Sequence, residues 1–334
     1  MRAHAQGRLS RENLAALNTK AIIDTIRRFE ATGSPVITDG EQTKPSFATY
    51  PIDGMPTLTP DGVVIPFADG HTRQLPRLTA GPFRYRTYAW SYLEEARRHT
   101  KLPVKQAVIS ASALSLLYPA EGIDGYARER FLDDLVAEAE KDIRGCLERG
   151  AHAVQIDFTE ARLSLKLDPS GALLESFVDL NNRVFRRFAP ALRQRIGVHS
   201  CPGGDRDSTH SADVDYALLL TSLFRLEAGS FYLQLASEKE PARVLRLVRE
   251  SLGASQRVFI GVTDPIDPRI ETPEEIRDRT LEAAAILPEG RLGTTDDCGF
   301  SPFGDDLSTS RDTAFAKIRA RVAGTELATK QLGA

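Results

Sequence analysis

The sequence AHAVQIDF at residues 151–158 and the sequence RIGVH at residues 195–199 are apolar runs of strand length, and each ends in polar side chains. Between them, residues 174–188 place apolar side chains every three or four positions, which indicates an amphipathic helix. Comparable apolar runs occur at residues 35–41, 75–82, 104–112, 230–236, 257–263 and 291–295. Because helical patterns alternate with these runs, the sequence predicts parallel strands joined by helices.

Eight strands that alternate with helices predict an α/β fold of the (β/α)8 TIM-barrel type. We expect residues 1–334 to form a single barrel domain. An N-terminal helix at residues 11–31 precedes the barrel, and an excursion at residues 45–80 contains a hairpin. A doubly wound open sheet is the competing fold, but no glycine-rich dinucleotide turn follows the first strand.

Composition limits the classes of partner. The 334 residues are 41% hydrophobic and 27% charged, with a formal net charge of −3 and three cysteines. Without a basic stripe, nucleic acid and anionic membranes are not expected partners. No apolar run reaches the roughly 20 residues that span a bilayer, and no apolar segment of a signal peptide follows residues 1–7. Three cysteines do not form a disulfide framework, so we predict a cytoplasmic protein.

In a TIM barrel, the loops after the strands carry the chemistry, because the carboxyl ends of all strands open at one mouth. The polar residues at these strand ends are therefore predicted to face one site. They are Asp39, Glu41, Ser110, Ser112, Asp157, Glu160, His199, Cys201, Gln234, Asp264, Asp297 and Cys298.

Three of these side chains suggest a metal site. His199 and Cys201 are two residues apart on one β segment, so they point to the same side. Cys298 follows the last strand and adds a second sulfur. One nitrogen and two sulfur ligands at a barrel mouth are typical of zinc with an exchangeable position. The alternative is that Cys201 and Cys298 are small core residues, which is the interpretation we prefer for Cys146.

The carboxylates at the strand ends also allow two interpretations. Asp39, Glu41, Asp157 and Glu160 follow apolar strands, where a buried charge needs a cationic or hydrogen-bonding partner. They either bind the amino group of a substrate or form salt bridges within the rim of the barrel.

Several segments together resemble the catalytic barrel of the cobalamin-independent methionine synthases. They are ITDGE at 37–41, VQID at 154–157, VHSC at 198–201, IGVTDP at 260–265, PRIETPEEI at 268–276 and TDDCGF at 295–300. The order and the strand-end positions match that family, and the length fits its single-barrel relatives. The resemblance implies a methyltransferase in which Zn²⁺ activates the thiol of homocysteine for attack on a methyl group.

The resemblance also implies roles for individual residues. His199, Cys201 and Cys298 match the zinc ligands, and Glu41 and Asp157 match the carboxylates that hold the amino group of homocysteine. Glu160 falls in the loop after Asp157, and we add it and Ser110 to the predicted substrate-binding residues.

Three positions depart from the family pattern. Where the family has Asp-Glu-Pro after the fourth strand, this sequence has Asp157-Phe158-Thr159. Gln234 stands where the family has a glutamate ligand, so the fourth zinc ligand is Gln234, Glu238 or water. After residues 257–263 the family has a histidine that helps to protonate a folate leaving group. Here the sequence is Asp264-Pro265-Ile266-Asp267, which makes Asp264 and Asp267 the candidate catalytic residues and leaves a donor of the 5-methyltetrahydrofolate type open.

The leading prediction is therefore a zinc-dependent methyltransferase that converts a homocysteine-like thiol to its methyl thioether. One alternative is a zinc-dependent alkyltransferase, or an enzyme that acts on a C–S bond, with another small thiol. A third is a barrel without catalytic activity that binds a small thiol or a metal. The sequence makes no prediction about the oligomeric state.

Overall fold

The computed structural model describes residues 7–333, apart from the side chain of Glu289. Residues 1–6 belong to the segment in which a signal peptide was considered, and they lie outside the described part of the chain. The strands are β1 (Leu58–Thr59), β2 (Val64–Pro66), β3 (Thr72–Gln74), β4 (Arg77–Leu78), β5 (Lys105–Ile109), β6 (Ala153–Asp157), β7 (Ile196–Ser200), β8 (Gly204–Asp205), β9 (Ser208–Thr209), β10 (Ser230–Leu233), β11 (Arg257–Thr263) and β12 (Leu292–Asp296).

The helices surround the central strands. They are α1 (Arg11–Glu30), α2 (Trp90–Arg97), α3 (Ala111–Ser115), α4 (Arg128–Glu148), α5 (Glu160–Leu167), α6 (Ala172–Phe185), α7 (Pro190–Arg193), α8 (Tyr216–Leu223), α9 (Pro241–Ser251), α10 (Pro273–Ala284) and α11 (Arg311–Leu332), with 3-10 turns at Tyr50–Ile52 and Glu289–Arg291. Thr272 caps the start of helix α10 and forms a capping box with Glu275. Within residues 7–333, no helix has the length and apolar character needed to span a membrane.

The central sheet contains six parallel strands in the order β12-β11-β10-β7-β6-β5. Ile37 lies beside β5 and forms a parallel bridge with Val104. The register aligns the chemically important ends of the strands, because His199 on β7 lies opposite Asp157 on β6 and opposite Tyr232 on β10. The apolar side chains of these strands and of the surrounding helices form one buried core.

Two predicted strands differ from the structure. Residues 35–41 contribute only the bridge at Ile37, since Gly40 and Glu41 both have positive φ and turn the chain away. The strand predicted at residues 75–82 is wrong, because only β4 is extended there and it pairs antiparallel with β1 outside the central sheet. Prolines at positions 76 and 82 remove backbone donors that a central strand would need.

The predicted hairpin in the excursion is confirmed as the antiparallel pair β2–β3. It contacts the long loop that follows β7: Arg73 forms an ion pair with Asp205, and the N–H of Ala68 donates to the carbonyl of Thr209 at 2.9 Å. The excursion therefore packs over the end of the sheet at which β7 finishes. The assignment of the whole chain to one barrel domain stays a prediction.

Candidate functional site

The fold brings His199, Cys201 and Cys298 together at the carboxyl ends of β7 and β12. Their ligand atoms all lie within 4.8 Å of one another, and the two sulfur atoms are 3.0 Å apart. In the part of the chain that the structure describes, this is the one group of three or more His, Cys, Asp or Glu side chains close enough to hold a metal ion. All three cysteines are free.

The histidine has the tautomer that a metal ligand needs. Its Nδ1 lies 3.2 Å from the carbonyl oxygen of Tyr232 on the neighbouring strand. Because a carbonyl only accepts, Nδ1 carries a hydrogen, which leaves Nε2 as the ring nitrogen that could bind a metal ion. A backbone partner on the second ring nitrogen is the usual arrangement around metal-bound histidines.

The sulfur pair is electrostatically asymmetric. The hydrogen bond from Cys201 holds the pKa of Cys298 well below its usual value, and His199 lowers it further against the opposing effect of burial. The same hydrogen bond, together with burial, raises the pKa of Cys201. One sulfur is thus prepared as a thiolate before any ion binds.

Gln234, the predicted fourth ligand, is held by protein partners at both ends of its amide. Its oxygen accepts from Nη1 of Arg162 at 2.8 Å, and its nitrogen donates to the hydroxyl of Ser237 at 2.8 Å. Glu238 forms a 2.8 Å ion pair with the same Arg162 nitrogen and is not part of the metal-capable group. Arg162 is buried inside α5, so sequence reasoning had no periodicity or motif that pointed to it.

Asp297 supports the loop beside this cluster. Its carboxylate accepts backbone N–H bonds from Leu235, Ala236 and Ser237 and a bond from the Ser237 hydroxyl, at 2.8 to 2.9 Å. Gly261 on β11 makes room for it, because a Cβ at that position would lie 1.8 Å from Oδ1 of Asp297. Asp297 therefore fastens the end of β10 to the turn that carries Cys298.

The metal-capable group forms part of the wall of a cavity of about 440 Å³. Glu41, Asp157 and Glu160 line the same cavity, as do His199 and Cys298. Burial raises the pKa of Asp157 to about 6, and the negative charge of Glu41 adds to the shift. Glu41 forms a 2.7 Å ion pair with Lys44, a buried cation that sequence reasoning missed.

Glu160 is the first residue of α5 and not a loop residue. Its Oε1 accepts a 2.6 Å hydrogen bond from Ser110 and a second bond from Ser112. Its Oε2 is buried and has no hydrogen-bond partner among the described residues. Burial raises the pKa of Glu160 to about 7. Ser110 is thus placed as a partner of Glu160, and it also caps the short helix α3.

The two candidate catalytic aspartates lie in different surroundings. Asp264 lines a second cavity of about 420 Å³, which shares Cys298 with the first. Its carboxylate accepts from the N–H of Ile266, and burial raises its pKa. Asp267 accepts a hydrogen bond from the N–H of Arg269. It is not one of the described residues that line either cavity.

Comparison with known proteins identifies the family. The family described as "Cobalamin-independent synthase, Catalytic domain" matches residues 2–311. The chain belongs to this family. Its relatives include methyltransferases, which agrees with the prediction made from the motifs at the strand ends.

Two relatives and one solved structure define how close the likeness is. The 5-methyltetrahydropteroyltriglutamate–homocysteine methyltransferase of Nitratidesulfovibrio vulgaris is 25% identical over 304 residues, which cover 89% of this chain but only 36% of that enzyme. The methionine synthase of Pyrococcus furiosus is 21% identical over 300 residues, covering 88% of this chain and 79% of the relative. This family member thus spans about a third of the length of the first enzyme.

The fold comparison agrees with the predicted barrel. The B12-independent methionine synthase of Shewanella sp. W3-18-1, solved in complex with selenomethionine, superposes with a TM-score of 0.76 at 18% identity. The alignment covers 97% of this family member and 91% of that chain. The predicted α/β fold of the TIM-barrel type is confirmed, although the central sheet of residues 7–333 has six paired strands and one bridge where eight strands were expected.

Proposed function

We propose that the chain is a zinc-dependent methyltransferase that moves a methyl group to the thiol of homocysteine. The observation that carries the proposal is the convergence of His199, Cys201 and Cys298, whose ligand atoms all lie within 4.8 Å of one another. We further propose that residues 1–334 act as one catalytic domain. Because the sulfurs must stay reduced to bind an ion, we place the protein in the cytoplasm.

The donor set fits zinc. Zinc binds sulfur at about 2.3 Å and imidazole nitrogen at about 2.0 Å in tetrahedral geometry, which puts two bound sulfurs about 3.8 Å apart. The sulfurs lie 3.0 Å apart here, so they need to separate by less than about 1 Å. Three protein ligands leave one position for an exchangeable ligand. When bound, zinc would supply a Lewis acid that lowers the pKa of a thiol in this position and leaves the sulfur nucleophilic.

The residues of the chain supply the remaining functions. Asp157 and Glu41, on the wall of the first cavity, bind the ammonium group of the acceptor and so fix the direction of its thiol. Glu160 lines the same cavity, and Ser110 holds its carboxyl group with a 2.6 Å hydrogen bond. Since the second cavity meets the first at Cys298, the methyl donor approaches from that side.

Asp264 is the proposed proton donor to the leaving group, because it lines the second cavity and burial raises its pKa, which favours the protonated form. Asp267, three residues further along, holds the turn in which Asp264 lies. The thiol of the acceptor loses one proton on binding, and the leaving group takes up one proton, so the transfer is balanced overall.

The metal is tested by measuring zinc content by plasma mass spectrometry. The wild-type protein is expected to bind about one equivalent, and the variants Cys298→Ala and His199→Ala are expected to bind almost none. Cys146→Ala is the matched control, since Cys146 lies within α4 away from the cluster, and it should retain the metal. Unchanged zinc content in both site variants would rule out the proposed ligands.

The reaction is tested by following methionine formation from homocysteine with a panel of methyl donors that includes 5-methyltetrahydrofolate and its polyglutamyl form. Formation of methionine with any donor supports the proposal and identifies the donor. If saturating donors give no methionine while another thiol is alkylated, the acceptor is different. If the zinc-loaded protein alkylates no thiol, the barrel has a binding role and the proposal fails.

A further inference from the structure

Lys105 presents an ammonium group inside the barrel that forms no direct ion pair with the described carboxylates. The side chain is half-buried at the start of β5, and it lines both the cavity with the metal-capable group and a larger cavity at the opposite end of the sheet. Its Nζ donates to Oε1 of Gln155 at 2.6 Å and lies 4.0 Å from the centre of the Tyr232 ring. Across residues 7–333, no carboxylate oxygen lies within the 4.0 Å of an ion pair with this nitrogen.

Other buried cations of the protein are neutralised. Lys44 is paired with Glu41 at 2.7 Å, and Lys317 with Glu271 at 2.9 Å. A cation without an anion in a low-dielectric interior loses hydration that no partner replaces. Burial accordingly lowers the pKa of Lys105 to about 8. Lys105 thus differs from the other two lysines in having hydrogen-bonding capacity for an anion that comes from outside the protein.

The position of Lys105 relative to the acidic side chains indicates the kind of anion. Gln155 accepts from Lys105 with its oxygen and donates to Oδ1 of Asp157 at 2.7 Å with its nitrogen. A positive and a negative group therefore lie on one cavity wall, separated by a single carboxamide. An α-amino acid carries an ammonium and a carboxylate on the same carbon, so its two charges match this spacing in sign and order.

We propose that Lys105 binds the α-carboxylate of the amino-acid thiol whose ammonium group is bound by Asp157. This inference rests on the proposed function, because it concerns the acceptor of the same site. The thiol end of the acceptor then points to Cys298 and His199, which line the same cavity. The charged wall selects an amino acid over a simple thiol.

The test is calorimetric titration of the zinc-loaded protein with three thiols that differ only in their charged groups. They are L-homocysteine, 3-aminopropane-1-thiol, which lacks the carboxylate, and 4-mercaptobutyrate, which lacks the ammonium group. The variant is Lys105→Met, and the matched control is Lys141→Met on the exposed face of α4. Should the methionine variant fail to fold, Lys105→Gln takes its place, since it keeps a donor for Gln155.

Lys105→Met is expected to weaken binding of homocysteine and 4-mercaptobutyrate by about 10- to 100-fold, the loss typical of a charge-assisted hydrogen bond. Binding of 3-aminopropane-1-thiol should change less than about threefold, because that ligand has no carboxylate to lose. The control variant should bind all three thiols like the wild-type protein. Equal weakening of all three thiols, or no change in any, would overturn the inference.

Failure of the proposed function has a different signature. If the wild-type protein binds 4-mercaptobutyrate as tightly as homocysteine and Lys105→Met weakens both, the carboxylate site is supported while homocysteine is refuted as the acceptor. If the wild-type protein binds homocysteine but Lys105→Met has no effect on it, the acceptor stands and the role of Lys105 is refuted. If none of the three thiols binds, both proposals are refuted.

Discussion

Replacing Glu160 by Gln should make the protein more stable in alkaline solution and change it little in mildly acidic solution. Glu160 is 5% exposed, and burial raises the pKa of its carboxyl group to about 7 from an ordinary value of 4.5. A carboxyl group whose pKa is raised in the folded state binds its proton more tightly there than in the unfolded chain. The stability linked to that proton is present below pH 4.5 and is lost as the pH rises through 7.

The size of the effect follows from the two pKa values. Relative to full protonation, ionisation of Glu160 lowers the free energy of unfolding by about 1 kcal/mol at pH 5 and by about 3 kcal/mol at pH 8.5. Gln does not ionise, and its amide oxygen can accept from Ser110 and Ser112 as the carboxyl oxygen does. The difference in stability between variant and wild type should therefore move by about 2 to 3 kcal/mol in favour of the variant between these two pH values.

The assay is urea unfolding of both proteins at pH 5 and pH 8.5, with the midpoint and slope fitted at each pH. Glu148→Gln is the matched control, because Glu148 is exposed at the end of α4. Its effect is expected to stay within about 0.5 kcal/mol at both pH values. A stability difference for Glu160→Gln that is the same at pH 5 and pH 8.5 would refute the reasoning that burial holds the proton on this carboxyl group.

Two further substitutions test how the site is supported. Asp297→Asn replaces one acceptor oxygen by a donor that faces the N–H of Ser237, so we expect a loss of about 2 to 3 kcal/mol in the free energy of unfolding and weaker zinc retention against a chelator. A change below about 0.5 kcal/mol with full zinc retention would contradict this role. Lys44→Met leaves Glu41 and the carbonyl of Ala107 without their buried partner, and urea unfolding should show a loss of about 2 to 4 kcal/mol. An unchanged urea midpoint would contradict this expectation and would mean that water replaces Lys44 as the partner of Glu41.

The sequence predicted most of the parallel sheet because each strand has the same two signals, an apolar run and a polar end. The runs at residues 153–157, 196–200 and 257–263 appear as strands close to their predicted limits. Residues 75–82 were also predicted to form a strand, but their prolines lack the backbone N–H groups that a central strand needs. Residues 77–78 instead pair antiparallel with Leu58–Thr59, and no local sequence pattern predicts that pairing.

The candidate site was predictable to the extent that its residues lie at strand ends. His199, Cys201 and Cys298 could be placed together because parallel strands finish at one mouth. Lys105 and Arg162 could not, since one begins a strand and the other lies within a helix. Their long side chains reach the site from a distance, and reach is not visible in sequence spacing. The positive charges that lie beside the predicted carboxylates could therefore be identified only from the structure.

The positions of the donors also explain why the neutral Gln234 is compatible with a metal centre. Among the described residues, Asp297 forms no ion pair, and its bonds go to the amides of residues 235–237 and to the Ser237 hydroxyl. The carboxylate of Glu238 forms an ion pair with Arg162 and is therefore not free to bind a metal ion. A zinc ion bound by His199 and the two thiolates would have no remaining net charge, so a further carboxylate ligand would make the centre anionic. A neutral amide or water as the fourth ligand would keep the centre neutral, and the thiolate of a substrate would then add the one negative charge that the cavity has to accommodate.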